Sequence, residues 1–246
     1  MAHTSSDAYS RLRRIIDGSQ RLVFFGGAGV STESGIPDFR SVDGLFNRAT
    51  SVTYPPEVVL SSRFFGAHPE DFFAYYKKHL LYPQAAPNPA HLALASLERA
   101  GKIGAVITQN IDGLHQAAGS THVLELHGSA HRNYCLGCGK TYDLGFVLAS
   151  VGVPSCEDCG KVVRPDVVLY EEGLDPLVID CSSRELSLAD TLIVSGTSLI
   201  VYPAAGLIHD FRGDNLIVIN KDPTPADKKA TLAIHAPVGE VLAPFV

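Results

Sequence analysis

The sequence predicts an α/β protein built on a parallel sheet and interrupted by two insertions. Three observations carry this prediction. Short continuous apolar runs recur along the 246 residues, helix-like segments separate several of them, and residues 41–89 and 130–164 break the alternation. A continuous apolar run suits a strand buried on both faces, and strands alternating with helices build a parallel sheet.

The elements follow in order. Ser6 is placed to cap a first helix, with Tyr9, Leu12, Ile15 and Ile16 on one face and Gly18 as its stop. The first strand-like run, Leu22-Val23-Phe24-Phe25, leads straight into glycines. Further runs are Ala105-Val106-Ile107, Val123-Leu124-Glu125-Leu126, Val167-Val168-Leu169-Tyr170, Leu192-Ile193-Val194 and Leu216-Ile217-Val218-Ile219. Residues 91–100 and 203–209 read as helix-like. Residues 41–89 are aromatic-rich and helix-like without a convincing buried strand, and 130–164 hold two cysteine pairs.

Composition narrows the class. Hydrophobic residues make up 46% and charged residues 19%, which argues for an ordered globular chain. Twenty Lys and Arg against 26 Asp and Glu give a net charge of −6, which disfavours broad nucleic-acid binding. An acidic surface suits a basic peptide partner. The first 21 residues lack the apolar core of a signal peptide, and no stretch approaches the roughly 20 apolar residues that span a bilayer. The expectation is a cytoplasmic protein that touches neither membrane nor nucleic acid.

Ligands of parallel α/β sheets gather at the carboxyl ends of the strands, so the residues there matter most. After the first run stands Gly26-Gly27-Ala28-Gly29-Val30-Ser31. Small residues let the backbone approach a pyrophosphate, and a following helix N-terminus would favour its charge. The pattern departs from the dehydrogenase fingerprint, because Thr32 stands where the third glycine is expected. The chain then runs Ser34-Gly35-Ile36-Pro37-Asp38-Phe39-Arg40, a poor hydride-transfer site.

The second run ends in Thr108-Gln109-Asn110-Ile111-Asp112. Such clustered polar side chains either cap a helix or bind a ligand. Glu125-Leu126-His127-Gly128 closes the third run, where a neutral imidazole can remove a hydroxyl proton near neutral pH. Cys135-x-x-Cys138 and Cys156-x-x-Cys159, with 17 residues between them, have the spacing of a four-cysteine zinc site. Four thiolates leave no open coordination position, so the expected zinc is structural. Gly137, Gly139 and Gly160 suit the turns, and Cys181 reads as an ordinary thiol. Gly196-Thr197-Ser198 and Asn220-Lys221 follow the last two runs, as turns or caps or as contacts to the far half of a dinucleotide.

Taken in order, these motifs resemble the sirtuin family, in a bacterial-type short form without terminal extensions. The resemblance rests on Gly27-Ala-Gly-Val-Ser31, Ser34-Gly-Ile-Pro-Asp-Phe-Arg40, Thr108-Gln-Asn-Ile-Asp112, Leu114-His115, Leu124-Glu-Leu-His-Gly128, the four cysteines, Arg164-Pro-Asp-Val-Val168, and Gly196-Thr-Ser-Leu199 with Pro203-Ala-Ala205. It runs from about residue 22 to residue 220.

The resemblance implies a Rossmann-like NAD-binding domain (residues 1–40, 90–130 and 165–246), a helical insertion (41–89) and a zinc module (131–164). It implies NAD-dependent removal of acyl groups from protein lysine, giving free lysine, nicotinamide and acyl-ADP-ribose; separately, a monomer is expected. His127 would be the base, acting with Asn110 and Asp112. Gly27, Ala28, Gly29, Thr32, Asp38, Phe39 and Arg40 would line the NAD loop, and Gln109, Asn110, Ile111 and Asp112 the nicotinamide and its ribose. Gly196, Thr197, Ser198, Asn220, Lys221 and Val238 would bind the adenosine half. Val167, Val168 and Tyr170 would hold the peptide and its acyl group.

Two departures stand out. Tyr170-Glu171-Glu172 replaces the family's aromatic-glycine-glutamate, and Phe73 and Tyr76 replace the tyrosine and arginine of members preferring acidic acyl groups. An acidic acyl group would then lack a bidentate partner, so acetyl or another uncharged acyl is favoured, although Lys77 and Lys78 lie close. An ADP-ribosyltransferase would use the same NAD cleft with another acceptor. A non-enzymatic NAD or zinc-ribbon module would leave Gln109, Asn110 and Asp112 unexplained. A nucleic-acid ribbon should be basic, but between Cys135 and Cys159 Lys140 faces Asp143, Glu157 and Asp158.

Overall fold

The computed structural model describes residues 2–39, 41, 44–45 and 54–246, with side chains from Asp7 onward. Helix α1 (Ala2–Gly18) leads into strand β1 (Leu22–Gly26). The helix begins four residues before Ser6, so that serine lies inside it and not at its cap. Leu12 and Ile16 are fully buried, with Tyr9 and Ile15 packed beside them, as the spacing predicts. After β1 the chain makes two short 3-10 turns, Ala28–Val30 and Thr32–Ser34, where an α-helix was expected. The reason is local: Gly35 at φ 84° ends the second turn before a longer helix can form.

Helices α2 (Pro56–Val59), α3 (Ser62–Ala67) and α4 (Pro69–His79) form the first insertion, and α5 (Pro89–Arg99) returns the chain to the sheet. An Asn88 capping box and Pro89 at the first turn start α5 where the sequence suggests a helix. Then come β2 (Ile103–Thr108), α6 (Leu114–Ala117), β3 (Val123–Glu125), β4 (Gly128–Cys135), β5 (Thr141–Tyr142), α7 (Leu144–Ala149) and β6 (Val163–Val167). The rest is α8 (Pro176–Leu188), β7 (Thr191–Ser195), a 3-10 segment Ala204–Asp210, β8 (Asn215–Ile219), a 3-10 segment Pro225–Lys229, β9 (Leu232–Ile234), α9 (Val238–Leu242) and a last 3-10 turn Ala243–Phe245.

Among the described residues, six strands form one sheet in the order β3-β2-β1-β7-β8-β9, and every pairing in it is parallel. Side chains alternate across it. Leu22 and Phe24 face the core shared with α1, α5 and α9, while Val23 and Phe25 face the core under α8 and the Ala204–Asp210 segment. Helices on both faces explain why the strands read as unbroken apolar runs.

The second sheet is antiparallel, in the order β5-β4-β6. Here the structure corrects the sequence reading of Val167-Val168-Leu169-Tyr170 as a parallel strand. The strand begins at Val163, ends at Val167 and pairs antiparallel with β4. Beyond it, the Val168 amide donates to the His127 carbonyl, and Tyr170 joins Leu60 and Ser62 at the α2–α3 junction. The run is apolar because Val167 and Leu169 pack into the aromatic cluster of the first insertion. That cluster includes Phe65, Phe72, Phe73 and Tyr76, all buried, and it also takes in Ala130 and Val147.

His91 of α5 and His115 of α6 lie fully buried with ring centroids 4.7 Å apart. Burial pushes His91 down from 6.5 to about 4 despite Asp112, and burial with the neighbouring His91 pushes His115 down to about 3. Both rings are therefore neutral in the fold. Below about pH 6.5 the unfolded chain binds protons that the folded chain refuses, so stability falls as the medium is acidified. Melting temperature is expected to decline progressively from there toward pH 4, and His115→Leu should flatten the decline. A variant with the parent's pH dependence would contradict this assignment.

Candidate active site

The sheet order reverses at β1, which pairs with β2 on one side and β7 on the other. In such sheets the crevice between the diverging loops is where ligands bind. The loop after β1 and the loop after β7 meet there. The Gly27 amide donates to the Ser195 carbonyl at 3.1 Å and the Gly29 amide to the Gly196 carbonyl at 2.8 Å. A Cβ on Gly29 would lie 2.7 Å from Gly196 Cα, so the glycine run serves this loop–loop packing as well as any approach to phosphate.

Polar side chains from three loops converge behind it. Ser31, almost fully buried, donates to Asp112 Oδ2 at 2.6 Å and accepts from Asn110 Nδ2 at 3.0 Å. The other Asp112 oxygen accepts the Leu114 amide at 3.0 Å, so Asp112 both caps α6 and faces the crevice. Gln109 Nε2 donates to Thr197 Oγ1 at 3.2 Å, tying the β2 loop to the β7 loop. Thr32 Oγ1 donates to the Gly29 carbonyl and steadies the first loop. Ser31 is buried and the groups around it are half-buried; withdrawn from water, such groups need partners, and here they partner one another.

His127 stands in the two-residue connection between β3 and β4, half-buried. Its Nδ1 lies 2.8 Å from the Gln109 carbonyl. A carbonyl only accepts, so Nδ1 carries the proton and the basic lone pair of the neutral ring is on Nε2. Burial holds the imidazole below its ordinary range, although the Gln109 carbonyl pulls the other way. The ring is therefore an unprotonated base at neutral pH.

The remaining expected residues have the following surroundings. Asp38 Oδ1 accepts the Ser41 amide, and Phe39 packs on the aromatic cluster with Ile111. Asn220 Nδ2 donates to the Asp222 carbonyl, and Lys221 is exposed. The Val238 side chain is buried in the main core, and the next amide, Gly239, donates to the Glu33 carboxylate at 2.6 Å. Ala28 and Ser198 lie in the two facing loops. Arg40 lies outside the described residues. Sequence reasoning assigned no role to Ser31, although its place two residues past Gly29 was a usable signal.

The four cysteine sulfurs lie within 4.8 Å of one another, with 3.3 Å between Cys135 and Cys159 Sγ and 3.6 Å between Cys138 and Cys156 Sγ. A tetrahedral zinc with bonds near 2.3 Å needs sulfurs a little under 4 Å apart, so the cluster fits that ion. Gly139 at φ 74° and Gly160 at φ 69° close two matching turns, in which their amides bond back to the Cys135 and Cys156 carbonyls.

A model of the Sir2 family matches residues 27–203, well over half of the chain. The chain belongs to the Sir2 family. An NAD-dependent protein deacetylase of Clostridium perfringens is 58% identical over 96% of this chain and 97% of its own. One of Cutibacterium acnes is 52% identical over 94% of this chain and 95% of its own. Among solved Sir2 structures, a complex with a deacetylated p53 peptide and 3′-O-acetyl ADP ribose superposes with a TM-score of 0.85, at 39% identity and covering 95% of both chains. A Sir2–p53 peptide–NAD+ complex gives 0.82 at 40% identity, also covering 95% of both chains. The Sir2 fold thus accounts for both the parallel sheet and the four-cysteine module.

Proposed function

We propose that this chain is an NAD-dependent protein-lysine deacetylase that gives nicotinamide and O-acyl-ADP-ribose. The observation that carries the reading is His127, a neutral imidazole oriented by the carbonyl of Gln109, in the same loop as the Asn110 and Asp112 side chains that Ser31 ties together. Its relatives' names support the same activity and do not favour an ADP-ribosyltransferase.

When bound, NAD supplies a ribose carbon from which nicotinamide leaves and ribose hydroxyls that take over the acyl group. His127 Nε2 accepts a proton from one of those hydroxyls. Gln109, Asn110, Ile111 and Asp112 hold the nicotinamide end, with Asp38 beside them. Ser31 keeps the Asn110 amide and the Asp112 carboxylate apart in fixed orientations. Phe39 excludes water from the reacting sugar, with Gly27, Ala28, Gly29 and Thr32 in the NAD loop, and Arg40 is assigned to NAD binding by its place in the sequence next to Phe39. Gly196, Thr197, Ser198, Asn220, Lys221 and Val238 take the adenosine half. Cys135, Cys138, Cys156 and Cys159 hold one structural zinc. In this division the NAD-binding domain comprises 1–40, 90–130 and 165–246, with the helical insertion at 41–89 and the zinc module at 131–164.

The substrate is an acyl-lysine protein, met by the Val167, Val168 and Tyr170 segment. Tyr170's amide and carbonyl already bond Leu60 and Ser62, so its ring is what it offers a substrate. We place the enzyme in the cytoplasm as a monomer; among the described residues no helix is long and apolar enough to cross a membrane.

The acyl group is uncharged in this reading. Phe73 and Tyr76 are fully buried, and the Lys77 ammonium is already held by the carbonyls of Ser150 and Gly152 at 2.6 and 3.0 Å. A carboxylate entering this aromatic cluster finds no unengaged cation on that helix face and bears the cost of an unpaired buried charge. Succinyl-lysine turnover is expected to be about 100-fold or more below acetyl-lysine, since each lost charged hydrogen bond costs about 1.5–3 kcal/mol. Mass spectrometry of the products from NAD and matched acyl-lysine peptides tests both statements. Label transferred to protein as ADP-ribose without acyl-ADP-ribose would overturn the activity, and preferred desuccinylation would overturn the specificity.

A further inference from the structure

We propose that Arg132 is a positioning residue for His127. The proposal rests on His127 being the base, as argued above. His127 belongs to a two-residue crossing from the large sheet to the small one, between Glu125 at the end of β3 and Gly128 at the start of β4. A crossing this short moves with whatever sets the angle between the two sheets.

The pairing of β4 with β6 is irregular at this point. Gly128 and Ser129 pair with Val167 and Asp166, and Asn133 pairs with Pro165, so residues 130–132 bulge from the ladder. Bulges re-aim side chains and recur beside active sites. Each bulged residue reaches back to the crevice or its support. The Ala130 amide donates to the Ile111 carbonyl at 3.0 Å, and His131 Nε2 lies 2.9 Å from the Asp112 carbonyl.

Arg132 spans the crossing itself. Its Nη1 donates to Glu125 Oε2 at 2.5 Å and its Nε to Asp166 Oδ2 at 2.9 Å. Glu125 also accepts Gln116 Nε2 at 2.9 Å, which anchors the acid to the α6 end of the large sheet. One guanidinium thus ties β3, β4 and β6 together directly around the histidine. An exposed ion pair contributes little to stability, but Glu125 is only 9% exposed and takes part in a network, which favours a fixed geometry. Arg132 touches no reacting atom in this account; it holds the crossing so that His127 stays on the Gln109 carbonyl.

The test compares Arg132→Met, Arg132→Lys and His127→Ala with the parent. Two activities are read on each: acetyl-lysine turnover, and exchange of labelled nicotinamide into NAD, which precedes the proton transfer assigned to His127. In Arg132→Met the ratio of turnover to exchange is expected to fall about tenfold, a loss typical of modest misplacement of a catalytic group, with partial recovery in Arg132→Lys. A purely structural role would lower both activities together. A second reading needs no NAD. The His127 Nδ1–H proton, seen by NMR while the Gln109 carbonyl shelters it from exchange, is expected to broaden in Arg132→Met and persist in Arg132→Lys. If His127→Ala turns over like the parent, the assignment of the base fails. If His127→Ala is dead while Arg132→Met keeps the parent's ratio and the parent's Nδ1–H signal, the positioning role of Arg132 is wrong.

Discussion

His127→Ala is expected to lower acetyl-lysine turnover by about 10³-fold while leaving the fold intact. General base catalysis by a positioned side chain is worth about 10²–10⁴-fold, and the neighbouring groups described in the same loops are otherwise engaged: His131 Nε2 lies 2.9 Å from the Asp112 carbonyl. Asp112 is engaged with Ser31 and the Leu114 amide, and Asn110 has no basic atom. The loss should appear in turnover rather than in NAD affinity, because in the proposed mechanism the ring takes a proton from a hydroxyl and does not hold the phosphates. The same site predicts the sign of the pH dependence. The base must be unprotonated, and burial lowers its pKa, so activity is expected to stay level through neutrality and to fall only below the ordinary imidazole range. Steady-state kinetics with a parallel near-ultraviolet circular dichroism scan separates this limb from acid unfolding through His91 and His115. Comparable turnover by the alanine variant would remove His127 from the mechanism.

Removing zinc is expected to melt the small sheet. Around the four sulfurs the buried residues are Cys135, Cys156 and Val163, with Tyr142 and Phe146 packed against them. That is little apolar surface for the two knuckles themselves, while Ala130 and Val167 of the small sheet and Val147 of α7 pack on the aromatic cluster, so the metal is expected to supply most of the knuckles' stability; structural zinc sites reach about 10–16 kcal/mol of apparent binding energy in small peptides. The Tyr142 hydroxyl donates to Cys156 Sγ at 3.1 Å, so one ligand is already oriented by its neighbour. Cys135→Ala, or chelation of the parent, should abolish the one-to-one zinc stoichiometry and bring in a melting transition below that of the main sheet. Activity should vanish with it, because β4 and β6 lead directly to His127 and Val168. A Cys135→Ala protein that retained its metal and its melting curve would show that the cluster is not a zinc site.

The inner strands β1, β2 and β7 were legible because they are buried on both faces and so written as unbroken apolar runs. Strand β9 escaped notice for the converse reason: it is three residues long and its middle residue, Ala233, is exposed. The Val167 run was legible as apolar but not as to its partner. Hydrophobicity records burial, and burial does not say whether a strand joins a parallel sheet or pairs antiparallel with a strand about 30 residues earlier. The missing helix after the glycine loop has a similar cause, since a turn ended by Gly35 looks like a helix start until the next residues fail to continue it.

By itself the sequence determined the parallel α/β class, the four-cysteine module and the candidacy of His127, because these depend on local patterns: burial periodicity, ligand spacing and a polar residue at a strand end. Only the tertiary structure decided which nitrogen of His127 is basic, how Ser31 braces Asn110 and Asp112, and that Arg132 bridges Glu125 and Asp166. Those facts depend on hydrogen-bond partners up to 81 residues apart, brought within 3 Å by sheet order and a bulge, and short-range patterning carries no record of such distances.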